Sequence, residues 1–220
     1  SVQMDTERLI ETLAAKGHRV CPAKATSSCL VVWLAVALPG SAIVVMMMGL
    51  RPDLTAKLTD PQFLIQEGSA LAAAITAAAA ALCASIPGQP RWKLALPVIP
   101  LAVWMASLGR QCQWEWLTYG WGGMEYRADP ACIPAIALAA AVPALSLLVL
   151  LRQGAVLSPV PTLGLAVLAA AASGEASLRL FHPVDAALMV IVWQLGTVLA
   201  FTFLGGLVGN YFPRLLRRHT

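Results

Sequence analysis

The sequence is poor in charged residues. Of its 220 residues, 12% are charged and 59% are hydrophobic, and the mean hydropathy is +0.73. A soluble domain of this length usually has about 25% charged and about 45–50% apolar residues. The shortage of charge excludes an ordinary soluble fold and indicates an integral membrane protein.

Signatures of catalysis are also missing. The chain contains three histidines, His18, His182 and His219, which are far apart in sequence. It has no Gly-rich phosphate loop, no HExxH pattern and no nucleophile elbow. We therefore expect no enzymatic activity. The basic pI of about 9.0 comes largely from lysines and arginines predicted to lie at one membrane face, which indicates contact with membrane lipids and no direct binding of nucleic acid.

What the sequence has instead is long apolar runs. Six of them are about long enough for a helix to cross ~30 Å of hydrocarbon, which takes roughly 20 residues. The runs are continuous, whereas a spanning β-barrel would show alternation over segments of ~10 residues. We predict an all-α integral membrane protein built as a six-helix bundle. The predicted spans are Ser28–Leu50, Phe63–Ile86, Trp92–Leu108, Ala131–Leu151, Val156–Leu180 and Ala186–Gly209.

Small residues concentrate in two of these spans. The second contains GSALAAAITAAAAALCAS, and small side chains let helices approach closely in a bilayer, so we expect this span at the centre. The last contains FLGGLVGN. Two interpretations of its glycines, Gly205, Gly206 and Gly209, stay open: a close-packing face, or loose packing of small residues without a motif.

The positions of lysine and arginine predict the orientation. Ten of the fifteen fall in the N-terminal segment, the second and fourth connections and the tail, and five fall on the other side. Basic residues favour the cytoplasmic side of short loops, so both termini should be cytoplasmic.

The chain divides accordingly into four parts. Residues 1–3 precede Met4 and are interpreted as a cloning remnant. Residues 4–27 are predicted to form a cytoplasmic N-terminal helix and linker, residues 28–210 the transmembrane domain, and residues 211–220 a basic cytoplasmic tail.

The N-terminal segment MDTERLIETLAAK predicts a short amphipathic helix with an apolar stripe. A helix of ~11 residues is marginal alone in water, so it should lie on the membrane, order in a partner's groove, or cap the bundle. The candidate partner-binding residues are Arg8, Leu9, Ile10, Leu13 and Arg19.

Two thiols and an imidazole are predicted to face the outside. Cys112 and Cys132 lie near the two ends of RQCQWEWLTYGWGGMEYRADPAC, and His182 lies in the last outer connection. Such ligands suit soft or borderline metal ions, although their spacing matches no metal signature. Three interpretations stay open. Cys132 is a small buried hydrophobic residue, or it forms a disulfide with Cys112, or it senses an oxidant or metal ion with Cys112 and His182.

An acid and a base lie within the fifth span. Glu175 precedes Arg179 by four residues, the favourable order for an ion pair on one helix face. An intramembrane acid indicates ion transport by default. The position near the outer end also fits a structural pair in which Arg179 extends to the interface.

Three stretches resemble one known family. GLRPDLTAKLTDPQFL (Gly49–Leu64), SIPGQPRW (Ser85–Trp92) and FHPVDAALMVIVWQLGTVLA (Phe181–Ala200) are similar to the NrsF family, negative regulators of sigma F. The likeness runs over nearly the whole chain from Met4. It implies a six-span anti-sigma factor that holds an extracytoplasmic-function sigma factor at the bacterial inner membrane until a stress signal arrives.

The resemblance also implies two outward cysteines that respond to stress or metal. One opens the fourth span and matches Cys132. The other begins a C-P-x-D stretch, in which this chain has His182 in place of the cysteine, and the W-H that often follows is Trp193-Gln194 here. The replacement predicts a metal site formed by Cys132 and His182, with help from Cys112.

Two functions compete at this point. In the first, the N-terminal helix masks the polymerase-binding surface of a sigma factor, and a redox or metal signal releases it. The alternative is a small transporter or metal-handling permease, which requires polar groups along a path across the membrane. The candidates for that path are Glu175, Thr76, Ser146 and Thr197. A passive scaffold is a third interpretation.

Overall fold

The computed structural model describes Arg8 and residues 26–86, 88–120, 130–152, 158–183 and 185–216, with side chains up to residue 211. These residues contain helices and no β-strand. Six of the helices are long and apolar enough to cross a membrane. The predicted all-α class and the predicted number of spans are confirmed.

We number the long helices in chain order. They are α1 (Thr26–Met48), α2 (Pro61–Ala84), α3 (Val98–Tyr119), α4 (Cys132–Arg152), α5 (Pro159–Phe181) and α6, which joins Ala187–Met189, the π-helical segment Val190–Leu195 and Gly196–Leu216. A short helix, Leu54–Lys57, lies between α1 and α2, and a 3-10 turn, Arg91–Ala95, leads into α3.

Helix α3 is longer than the apolar run predicted. Its span was expected to end at Leu108, but the helix continues through Cys112 to Tyr119. Hydropathy detects contact with lipid, whereas backbone hydrogen bonds continue a helix through polar residues equally well. The helix ends at Gly120, whose φ of 62° is one that L side chains rarely adopt. Cys112 therefore lies on a helix and not in a loop.

The start of α2 follows from its first residues. Pro61 occupies the first helical position, where its missing N–H removes no hydrogen bond. Asp60 caps the helix, because its carboxylate accepts a hydrogen bond from the backbone N–H of Gln62 at 2.9 Å. This cap fixes the point at which the first connection enters the bundle.

The fifth helix, not the second, is the centre of the bundle. Helix α5 packs against α1, α2, α4 and α6, while α2 packs against α1, α3 and α5. Every residue from Leu168 to Arg179 is buried. The sequence of α5 explains this position, since LAAAASGEAS places small side chains on all of its faces and lets neighbours approach from every direction.

Two of the glycines in FLGGLVGN form the close-packing face that one interpretation predicted. A Cβ atom on Gly205 would lie 2.5 Å from Val167 Cγ2, and one on Gly209 would lie 2.7 Å from the carbonyl oxygen of Pro159. Gly206 has open space around its own Cβ position. Helix α6 therefore meets α5 through Gly205 and Gly209.

Gly174 makes the tightest contact between α5 and α4 and gives a test of this packing. A Cβ there would lie 2.5 Å from the carbonyl oxygen of Ile136, which is backbone and cannot turn away. We expect Gly174→Ala to lower the free energy of unfolding by about 1–3 kcal/mol, because the helices must separate. Gly109 on α3 is the matched control, since its Cβ position is open and Gly109→Ala should be neutral or slightly stabilising. Equal thermal unfolding of the two variants in detergent would contradict the packing described.

Successive helices run in opposite directions, as six crossings require. The first connection meets the end of α5, where the backbone N–H of Arg51 donates to the carbonyl oxygen of Leu180 at 3.0 Å. At the other end, the thiol of Cys83 lies 3.9 Å from the hydroxyl of Thr26. We call these the first-loop end, which carries residues 49–60, and the second-loop end, which carries residues 85–97.

Candidate functional site

A buried arginine organises the first-loop end. Arg51 is 3% exposed, and its guanidinium donates to both carboxylate oxygens of Asp53 and of Asp185, with Nη2 lying 2.6 Å from Asp185 Oδ2. Hydrogen bonds to Asp185 and then to Asp53 outweigh burial and raise the pKa of Arg51. The cluster joins the connection after α1 to the connection before α6, which are 134 residues apart in sequence.

A second buried arginine extends this network into the bundle. Arg179 is 2% exposed and donates from Nη1 to Gln66 Oε1 at 2.7 Å. Its Nε lies 3.2 Å from the carboxylate of Glu67. Both guanidinium groups also lie against the ring of Phe63, with Arg51 at 5.8 Å and Arg179 at 5.0 Å from the ring centroid. Cations near an aromatic face are attracted to it, so Phe63 contributes to holding both arginines.

The predicted ion pair between Glu175 and Arg179 is not formed. Arg179 extends toward the first-loop end of α2 and pairs there with Glu67. Glu175 is fully buried, and neither of its carboxylate oxygens has a hydrogen-bond partner among the described residues. A spacing of four residues allows an ion pair on one helix face. In the structure, however, the guanidinium of Arg179 contacts Glu67 and Gln66 on α2 instead of Glu175.

The ion pair between Arg51 and Asp185 makes stability depend on pH. Burial raises the pKa of Asp185, but hydrogen bonds to Arg51 and Lys57 outweigh it and lower that pKa to about 2. Since the folded pKa lies below the unfolded one, the stabilisation is complete above about pH 4 and is lost as the pH falls toward 2. We expect Asp185→Asn to lower the unfolding temperature at neutral pH and to change it little at the acidic limit. Thermal unfolding of both chains across this range is the measurement, and an equal effect at both limits would contradict the pairing.

A polar pocket opens beside this network. It has a volume of about 490 Å³ and lies between the first connection, α2, α3 and the end of α5. The residues that line it are Lys57, Asp60, Gln62, Phe63, Gln66, Arg110, Gln111, Trp114, Glu115, Arg179 and Asp185.

Glutamine side chains connect the pocket wall to the start of α6. Gln66 Nε2 donates to Gln111 Oε1 at 2.7 Å, and Gln111 Nε2 donates to Glu115 at 2.8 Å and to the carbonyl oxygen of Asp185 at 2.8 Å. The Glu115 carboxylate in turn accepts from the backbone N–H of Ala187, the first residue of α6, at 3.2 Å. Movement of Gln111 or Glu115 would therefore alter the hydrogen bonds that hold the start of α6.

The predicted sensing residues are only partly brought together. Cys132 is 1% exposed and packs with Ile136 and Leu178 at a contact of α4, α5 and α6. His182 follows at the end of α5, where its backbone N–H donates to Leu178 at 2.8 Å. Cys112 is half-buried on α3, and both cysteines are thiols, not halves of a disulfide. Their packing fits the interpretation of Cys132 as a small buried residue and leaves its chemical role a prediction.

The metal site is not assembled by the described residues. Within them, no group of three histidine, cysteine, aspartate or glutamate side chains is placed to hold a metal ion. Cys132 and His182 by themselves would supply two ligands of the four that zinc takes in structural sites. Water or residues beyond the described ranges would have to complete the set.

Little of the predicted partner-binding segment falls within the described residues. Arg8 is helical and exposed. Leu9, Ile10, Leu13 and Arg19 lie outside the described residues, so the apolar stripe stays a prediction.

The hydroxyl groups proposed for a transport path bond within their own helices. Thr76 donates to the carbonyl oxygen of Ala72 at 2.6 Å, and Ser146 donates to that of Pro143 at 3.0 Å. Thr197 donates to the carbonyl oxygen of Trp193. These hydroxyls satisfy local backbone carbonyls, which is the usual way for a helix in lipid to carry serine and threonine. They give no support to a polar path.

Sequence reasoning missed the residues that form the network. Arg51, Asp53, Lys57 and Asp185 all occur in stretches that carried the family resemblance, yet no role was assigned to them. Glu67 was overlooked because it lies within an apolar span whose alanines dominated its interpretation. The available signal was a charged residue inside a predicted span, which is costly unless it is paired.

Comparison with known proteins identifies the family. A family model described as NrsF, negative regulator of sigma F, matches residues 13–217. The chain belongs to the NrsF family. Its name indicates a negative regulator of a sigma factor, and the resemblance noted in the sequence is confirmed. No curated protein and no solved structure matches the chain.

Part of the polar network lies in two of the stretches that resemble the NrsF family. Arg51 and Lys57 lie in GLRPDLTAKLTDPQFL, and Asp185 lies in FHPVDAALMVIVWQLGTVLA. The structure joins these two stretches through the Arg51–Asp185 and Lys57–Asp185 ion pairs. Two of the three stretches that resemble NrsF proteins therefore meet at one end of the bundle.

Proposed function

We propose that this protein is a membrane-bound anti-sigma factor that sequesters an extracytoplasmic-function sigma factor at the bacterial inner membrane. Both termini and the second-loop end face the cytoplasm, and the first-loop end faces outward. The N-terminal segment, through Arg8, Leu9, Ile10, Leu13 and Arg19, holds the sigma factor. The NrsF family match over residues 13–217 carries this proposal.

The two ends of the bundle differ in a way that supports this orientation. At the second-loop end, Arg91 and Lys93 carry positive charge beside a pocket of about 200 Å³. At the first-loop end, basic side chains are largely neutralised by Asp53, Glu67 and Asp185. The orientation rule counts lysines and arginines in short connections and depends little on neighbouring acids, so the support for a cytoplasmic second-loop end is the count of ten basic residues on that side against five on the other.

Co-purification tests the partner. The full chain, tagged at its C-terminus and extracted in mild detergent from its own bacterial membranes, is expected to bring down a sigma factor identified by mass spectrometry. A matched membrane protein with the same tag serves as the control. If no sigma factor is recovered from cells that express both proteins, the proposed function is contradicted.

We further propose that Cys132, with His182 and Cys112, receives a redox or metal stress signal. Cys132 is buried where three helices meet, with Phe181 and Trp193 packed against its cluster. Oxidation adds oxygen atoms to the sulfur, and metal binding adds an ion, so either change would overpack this contact. A hundredfold release of the sigma factor needs about 2.7 kcal/mol of coupling between the two sites, which is within the usual range.

Cys132→Ser tests the sensing proposal. We expect this variant to retain the sigma factor and to lose the transcriptional response to hydrogen peroxide and to cadmium, because serine neither oxidises readily nor binds soft metals. Cys83→Ser, at the opposite end of the bundle, is the matched control and should respond normally. An unchanged response in Cys132→Ser would reject Cys132 as the sensor.

A further inference from the structure

The polar pocket at the first-loop end contains charges that the protein does not neutralise. Lys57 and Arg179 are paired with acids, since Lys57 Nζ lies 2.9 Å from Asp185 and Arg179 Nε lies 3.2 Å from Glu67. Arg110 and Glu115 have no ion-pair partner among the described residues. On α3, the pocket wall therefore presents one uncompensated cation, Arg110, and one uncompensated anion, Glu115.

These two groups lie on the same helix but at different heights. Both belong to α3 and line the pocket. Five residues separate them, which is about 7.5 Å of helix rise. Arg110 donates to the side chain of Gln62, and Glu115 is held by Gln111 and by the start of α6. The positive and negative positions are thus fixed by separate contacts.

A third charge strengthens the negative side. Asp60 lines the pocket and also has no ion-pair partner among the described residues. One of its oxygens caps α2. A simple anion would meet two uncompensated carboxylates in this pocket, and a simple cation would meet Arg110. A ligand that carries both signs of charge satisfies all three groups.

The dimensions agree with a small organic molecule. The volume of about 490 Å³ falls within the usual range for ligand pockets and exceeds what a single ion requires. The floor is built from Gln66 and Arg179, which are 1% and 2% exposed and are joined by a hydrogen bond. The indole of Trp114 supplies an apolar surface at the edge. The pocket is therefore preformed and mixed in polarity.

We propose that this pocket binds a small zwitterion of amino-acid to dipeptide size, with its carboxylate at Arg110 and its ammonium group at Glu115 and Asp60. The site is separate from Cys132 and does not require a sigma factor. Glu115 accepts a hydrogen bond from the backbone N–H of Ala187, so a ligand bound to Glu115 would change the contact that holds the first turn of α6. Ligand binding would in this way affect α6, the helix that contains Trp193 and Gln194.

Ligand binding to the purified full chain tests this proposal. The protein is reconstituted in phosphatidylcholine nanodiscs and titrated with 4-aminobutanoate, 6-aminohexanoate and diglycine by isothermal calorimetry and ligand-detected NMR. Butanoate and butylammonium are the matched ligands with a single charge. We expect at least one zwitterion to bind at least about tenfold more tightly than either singly charged analogue.

Substitutions identify the site within the protein. Arg110→Gln and Glu115→Gln should each weaken binding at least about tenfold. Glu115→Gln keeps an oxygen that can accept from Ala187, so the start of α6 is preserved. Arg91→Gln, an exposed arginine at the opposite end, should bind normally. Failure of all three zwitterions to bind, equal binding of butanoate or butylammonium, or normal binding by both pocket variants would each overturn the proposal.

Discussion

Deleting residues 4–16 is expected to abolish retention of the sigma factor and to raise transcription of its target genes at least about tenfold. The deleted segment contains Leu9, Ile10 and Leu13, the predicted anchors of an amphipathic helix in a partner's groove. A few buried anchors carry most of the energy of such an interface, so their removal should eliminate binding and not merely weaken it. Reporter transcription and co-purification from membranes measure the two effects.

The matched control separates the apolar stripe from the rest of the segment. A variant with Leu9→Ala, Ile10→Ala and Leu13→Ala should behave like the deletion. A variant with Glu7→Gln and Glu11→Gln, which leaves the stripe intact, should retain the sigma factor. Full retention by the deletion variant would move the binding surface elsewhere, with the basic second-loop end as the next candidate.

Replacing Arg51 by methionine is expected to lower the free energy of unfolding by about 1–3 kcal/mol. Methionine keeps much of the length of the side chain but removes every hydrogen bond to Asp53 and Asp185. Asp53 is exposed and can be solvated when the guanidinium is removed, whereas Asp185 is partly buried and keeps Lys57 close by, so most of the cost comes from Asp185. The link that Arg51 makes between the first connection and the start of α6 is lost as well.

Arg110→Met is the control for this measurement. Arg110 is exposed and donates a hydrogen bond to Gln62, so its replacement should cost less than about 1 kcal/mol. Chemical unfolding in mixed micelles, followed by tryptophan fluorescence, compares both variants with the parent chain. A loss below about 1 kcal/mol in Arg51→Met would show that the network does not hold this end together.

The helices were predictable because the bilayer fixes their length. A run of about 20 apolar residues leaves the backbone few conformations other than a helix, and each of the six predicted spans overlaps one of the six long helices among the described residues. The end of α3 was not predictable in this way, since its last turns carry Arg110, Gln111 and Glu115 and no longer resemble a span. The resemblance to NrsF supplied the functional class, which composition alone could not.

The network at the first-loop end was beyond sequence reasoning for a physical reason. The partners Arg51 and Asp185 are 134 residues apart, and nothing in local spacing connects them. The ion pair predicted from spacing, Glu175–Arg179, does not form. The side chain of Arg179 is long enough to reach α2, where it contacts Glu67 and Gln66 instead. Cys132 packs against Leu178, three residues before the end of α5, and its burial is one of the interpretations that the sequence left open.

The threading of the chain through the membrane is the claim on which the proposed function depends. It is tested by replacing the native cysteines with serine and adding one cysteine at exposed Ala56 or at exposed Arg91. Intact cells are then treated with a membrane-impermeant maleimide. We predict labelling of Ala56→Cys in intact cells and labelling of Arg91→Cys only after the cells are opened. The reverse pattern would place the N-terminal segment proposed to bind the sigma factor outside the cell and would contradict the proposed function.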